Sequence, residues 1–144
     1  LGAQGVAPGR LEILPCSPDH RTHLEQYRGI DIALDTYPYH GTTTTCEALY
    51  MGVPVVTLAG DRHASRVGVS LVIRVGADEL IADSPEDYVR IAVGLASDHE
   101  RLGRLHATLR ERLESSPLRD EIAFTHALET AMQQMWDEAA HDGL

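Results

Sequence analysis

Four consecutive threonines, Thr42, Thr43, Thr44 and Thr45, stand between two short apolar runs, and no other feature limits the fold of this chain as much. Residues 32–34 form the first run and end at Asp35; the loop Tyr37-Pro38-Tyr39-His40-Gly41 follows. After the threonines a helical stretch leads through Gly52-Val53-Pro54 into the second run, residues 54–58. An apolar run, a helix and another apolar run are the parts of a βαβ unit, whose parallel strands are covered on both faces. Right-handed crossovers place the strand C-termini along one edge, where ligands of such sheets bind.

The threonines then begin a helix at that edge. A helix start leaves backbone N–H groups unpaired and carries partial positive charge, so phosphate oxygens are natural ligands there. Threonine hydroxyls add donors, and Gly41 allows the backbone a close approach. Thr44-x-x-Glu47 also reads as a capping box, which satisfies the same donors without a ligand. On the phosphate reading, residues 42–45 line an open pocket and Glu47 faces it from one turn further on.

Composition narrows the class. At 144 residues with 43% hydrophobic content, the chain is long enough for one domain with a real core. No window approaches a membrane span or a signal segment, so neither membrane nor export is expected, and a cytoplasmic location is. A net charge of −10 argues against nucleic acid as a partner. All 12 basic residues are arginine, so no lysine of this chain can meet a phosphate. Cys16 and Cys46 lack a C-x-x-C spacing and read as thiols in a reducing compartment. Among eight histidines, His20-x-x-His23 is the only close pair and nothing nearby completes a ligand set, so no metal is expected.

Strands are expected at residues 11–14, 31–35, 54–58 and 79–82, alternating with helices at about 20–28, 44–51 and 64–73. Ser84-Pro85-Glu86-Asp87 carries an N-cap serine, a proline at the first helical position and acidic residues in the first turn, so a helix begins there. Asp98 starts another, with Leu102, Leu105, Leu109 and Leu113 on one face. A last helix at about 120–140 carries Ile122, Leu128, Met132, Met135 and Trp136, read as core-packing residues. The expected fold is α/β, a truncated doubly wound domain followed by a helical tail.

The segment I30-D-I-A-L-D-T-Y-P-Y-H-G-T-T-T-T-C-E-A-L-Y-M-G-V-P-V-V-T-L, with A64-S-R-V-G-x-S70 after it, resembles the catalytic region of the bacterial O-GlcNAc transferase and Spindly-like family. E79-L-I-A, E86-D-Y-V, S115-S-P-L and M135-W extend the resemblance over nearly the whole chain. It implies the C-terminal, Rossmann-like half of a GT-B glycosyltransferase: residues 1–83 as a partial nucleotide-sugar-binding domain, and residues 84–144 as helices packing on the same catalytic region. It also implies a nucleotide sugar as donor substrate, a protein acceptor, an N-terminal catalytic half, tetratricopeptide repeats and no metal cofactor. Thr43 and Thr44 match the pair that donates to the diphosphate, while Thr42 stands where animal members have histidine. Glu47 matches an acidic position that bonds the ribose, His23 a histidine beside the uracil, and Ser17-Pro18 the loop that reads the base. Asp19 and Gln26 stand where a lysine and an arginine occur in the family.

The implied activity is transfer of a sugar, N-acetylglucosamine in the leading form, from a UDP-sugar to Ser or Thr of a protein. The chain by itself is expected to be inactive, and its catalytic residues are not identifiable from the sequence. A non-catalytic nucleotide-sugar-binding or protein-interaction module is the alternative. A Rossmann dehydrogenase is disfavoured because no G-x-G-x-x-G follows any strand.

Overall fold

The computed structural model describes residues 2–141. Strands β1 (Ala33–Leu34), β2 (Val55–Leu58) and β3 (Ile81–Ala82) form one parallel sheet in that spatial order, with Ala33 against Val55 and Thr57 against Ile81. The helices are α1 (His20–Gln26), α2 (Thr43–Tyr50), α3 (Val67–Arg74), α4 (Pro85–Ser97), α5 (His99–Glu114) and α6 (Glu121–His141). Central β2 reads Val-Val-Thr-Leu and is almost wholly buried, because α2, α3 and α4 all pack against it. Such double covering is why its sequence is a continuous apolar run with no alternation.

Local signals placed most of these elements. Ser84 caps α4 by accepting from the Asp87 amide, and Asp98 caps α5 by accepting from the Arg101 amide. Helix α2 ends at Gly52, whose φ of +79° closes the turn as the Val53 amide reaches the Ala48 carbonyl. A Cβ on Gly52 would stand 2.8 Å from the His106 carbonyl oxygen, so α5 can cross this turn closely only over glycine. Leu105, Leu109 and Leu113 of α5 close the core with Leu49, Val56 and Leu95.

Two expectations fail. Residues 11–14 form no strand, and Ile13 is 93% exposed. A strand must pair its backbone, and β1 bonds only to β2, leaving no described strand beside residues 11–14. Helix α6 is helical as expected but has no buried residue: Ile122 and Trp136 are 73% and 71% exposed, and Leu128, Met132 and Met135 are exposed too. An apolar stripe says that a helix has a face to cover, not what covers it. The helices α4 and α5 do pack, on the sheet and on α2. Residues 1 and 142–144, which the two-part division includes, lie outside the described residues. No described helix is long and apolar enough to cross a membrane.

Candidate functional site

The loop after β1 delivers the threonines to the C-terminal edge of the sheet. Thr42 occupies the N-cap position of α2 without a side-chain cap bond, and Thr42, Thr43 and Thr44 are all exposed. Thr45 alone turns inward, where its hydroxyl donates to the Gly41 carbonyl at 2.9 Å. Successive residues of a helix point about 100° apart, so the run cannot face one way. Thr44 lines a hollow of about 130 Å³ with Gly41, Asp35 and Tyr27. Thr43 lines a second hollow of about 360 Å³ with His20, Cys46, Glu47 and Arg119. Gly41 gives Thr44 room at the first of these, since a Cβ there would lie 2.3 Å from Thr44 Oγ1 and force that hydroxyl to turn away.

The capping box is not formed. Glu47 instead accepts from three side chains of α1 and its C-terminal turn: His20 Nε2 at 3.2 Å, His23 Nε2 at 3.0 Å and the Tyr27 hydroxyl at 3.4 Å. The same hydroxyl is 3.3 Å from the Thr44 carbonyl. Glu47 therefore faces the Thr43 hollow and not, as expected, one pocket shared with all the threonines. His20, His23 and Tyr27 recur at i, i+3 and i+7, one helical face, and that spacing was the signal by which His20 and Tyr27 were detectable in the sequence. Ser17 sits before α1 with its Oγ buried and unbonded to protein. Asp19 caps α1 through the Thr22 amide and hydroxyl, and this bonding, the amide first, holds its carboxyl below the usual range. Among the described residues no group of three or more His, Cys, Asp or Glu side chains is arranged to hold a metal ion.

Behind the threonines lies a buried polar cluster that sequence reasoning missed. Asp35 accepts from the Gly41 amide at 2.9 Å and the Thr57 hydroxyl at 2.8 Å, and His40 packs against both Asp35 and Thr57. Asp35 reads as the last residue of a strand, at the end of an apolar run; only the fold shows its carboxylate enclosed.

With this geometry in place, comparison with known proteins decides the family. The description of glycosyl transferase family 41 matches residues 3–128. The chain belongs to glycosyl transferase family 41. A relative in Hordeum vulgare, a probable UDP-N-acetylglucosamine--peptide N-acetylglucosaminyltransferase SPINDLY, is 48% identical over 132 residues, 92% of this chain and 14% of the relative. The UDP-N-acetylglucosamine--peptide N-acetylglucosaminyltransferase of Caenorhabditis elegans is 35% identical over 133 residues, 92% of this chain and 12% of that protein. A solved mutant O-GlcNAc transferase of Thermobaculum terrenum superposes with a TM-score of 0.90 at 44% identity, covering 99% of this chain and 27% of its own. The chain thus spans about one seventh of the curated relatives' length. The expected fold, a parallel sheet flanked by helices with a helical tail, is that of this O-GlcNAc transferase.

The two thiols differ in chemistry. Burial pushes the Cys46 thiol above its ordinary value, and the adjacent Glu47 carboxylate pushes it further, whereas Cys16 is exposed. Since the thiolate is the nucleophile, iodoacetamide at pH 8 is expected to label Cys16 roughly tenfold faster than Cys46. Peptide mass spectrometry over a time course checks the ratio; equal rates would contradict the burial of Cys46. The variant Glu47→Gln should narrow the gap only in part, because burial is the larger cause.

Proposed function

We propose that this chain is the donor-binding part of a protein O-glycosyltransferase, which moves N-acetylglucosamine from its UDP-sugar to Ser or Thr of an acceptor protein. The observation that carries the proposal is the pair Thr43 and Thr44, exposed on the first turn of α2 at the C-terminal edge of a parallel sheet, with Glu47 one turn on. When the sugar–diphosphate bond breaks, negative charge grows on the leaving phosphate. Hydroxyls and helix-terminal amides fixed in advance stabilise that charge more than they stabilise the bound substrate. No metal ion is part of this scheme. Glu47 binds the ribose, for which it must exchange at least one imidazole partner for sugar hydroxyls; His23 and the loop at Ser17 lie toward the base. An N-terminal catalytic half closes the cleft over the donor, tetratricopeptide repeats precede it, and the protein works in the reducing cytoplasm, in keeping with two free thiols.

Titration of the N-terminally extended protein with UDP, GDP and their sugars tests the reading. UDP is expected to bind in preference to GDP; binding of neither would remove the proposal, and a preference for GDP would change the donor. In the same assay Glu47→Gln is expected to weaken UDP by about five- to tenfold, since hydrogen bonds to a charged acceptor exceed neutral ones by about 1 kcal/mol. The melting temperature should fall only modestly, since Gln keeps one acceptor oxygen for the His20, His23 and Tyr27 contacts. A fall in stability with unchanged affinity would make Glu47 a structural residue only.

A further inference from the structure

The loop that carries the threonines is almost bare of packing. Thr36, Tyr37, Pro38 and Tyr39 are all exposed, and between Asp35 and Thr45 the only buried side chain is His40. Its ring is fully enclosed. Nε2 lies 3.0 Å from the Leu58 carbonyl, which can only accept, and Nδ1 lies 3.0 Å from the Gly68 amide, which can only donate. With these partners Nε2 donates to Leu58 and Nδ1 accepts from Gly68, with Asp35 Oδ2 a further 3.3 Å from Nδ1. The ring thereby caps α3 from across the fold: Arg66 at the N-cap position makes no side-chain cap bond, its guanidinium donating instead to the Gly60 carbonyl, and the Gly68 amide is one of the donors a helix start leaves open.

The same residue reaches the donor loop by its backbone. The His40 amide donates to the Ala64 carbonyl at 2.9 Å, and the next amide, of Gly41, donates to Asp35. Asp35 is in turn bonded by Thr57, whose hydroxyl stands 3.3 Å from His40 Nδ1. The ends of β1 and β2 and the start of α3 therefore converge on one imidazole. The convergence leaves no slack, since a Cβ on Gly68 would lie 2.1 Å from Asp35 Oδ2 and 3.0 Å from His40 Nδ1.

We infer that His40 is a positioning residue for phosphate binding: it locks the start of α3 and the end of β2 to the loop, so that the donors of Thr43 and Thr44 are fixed before a ligand arrives. The inference rests on the donor reading above. Among the described residues His40 makes no hydrogen bond to Thr42, Thr43, Thr44, Thr45 or Glu47, so its effect on ligand runs through the loop.

Amide hydrogen exchange and UDP titration of the intact protein test it together. In His40→Ala, exchange across residues 36–45 is expected to quicken at least about tenfold while α5 is unchanged, with UDP binding weakened about tenfold. The variant His40→Asn supplies a carbonyl oxygen in reach of the Gly68 amide and should stay within about threefold of native in both readouts. Should His40→Ala not fold, Thr57→Val removes only the hydroxyl beside Asp35 and His40, and should quicken exchange in the loop and not in α5. Unchanged loop exchange overturns the inference, as does an equal rise in α5, which marks general destabilisation. Loop exchange that responds in a protein binding no UDP upholds the clamp and removes the donor reading instead.

Discussion

On the proposed transfer, replacing Thr43 and Thr44 together by valine is expected to lower kcat of the intact protein by roughly 10³- to 10⁵-fold. Removing one preorganised donor from a developing oxyanion costs about 10²- to 10³-fold, and two donors to the same group act less than additively. Stability should change by no more than about 0.5 kcal/mol, because both side chains are exposed and valine matches threonine in shape. Thr45→Val is the internal control. Its hydroxyl is spent on the Gly41 carbonyl inside the fold, so its loss should cost stability with a far smaller effect on kcat. Steady-state kinetics with saturating donor, alongside thermal melts, separate the two; a double variant with native kcat would leave the threonines as helix-start residues without catalytic weight.

Gly68→Ala is expected to be strongly destabilising. Its added methyl would meet Asp35 Oδ2 at 2.1 Å and Thr57 Oγ1 at 2.6 Å, both on buried side chains with no room to retreat. Overpacking costs about 1–3 kcal/mol, and breaking a hydrogen bond to a buried carboxylate about another 1–3 kcal/mol. A fall in Tm of roughly 5–20 °C follows. Gly103→Ala gives the contrast: Gly103 lies exposed in α5, an added methyl there meets nothing within 4 Å, and the change should stabilise by about 0.5–1 kcal/mol. Thermal melts of the two variants side by side check both signs. A Gly68→Ala protein that melts with the native one would mean that the Asp35–His40–Thr57 cluster yields easily.

The order strand, loop, threonine run, helix and strand was legible because each part is a local signal. Residues 54–58 announce a doubly covered strand by being apolar throughout, Ser84-Pro85 and Asp98 announce helix starts, and Gly52-Val53-Pro54 announces a stop. The same locality explains the misses. Residues 11–14 have the composition of a strand, but pairing depends on a neighbour that composition does not contain. The stripe of α6 has helical period whether or not anything lies on it.

The site divides along the same line. Sequence by itself determined which groups are available: hydroxyls on the first turn of α2, a carboxylate one turn later, arginine as the sole strong cation, and a motif long enough to carry the family. Tertiary structure decided what those groups face. A helix turns each residue about 100° from the last, so Thr43, Thr44 and Thr45 part into two hollows and an internal bond. Glu47, expected to face one pocket with the threonines, meets His20 and His23 because α1, distant in sequence, lies across it. Asp35 looks like a strand-end carboxylate and His40 like a polar loop residue until three chain segments close over them, since burial and hydrogen-bond partners are properties of the packed fold and have no local sequence signature.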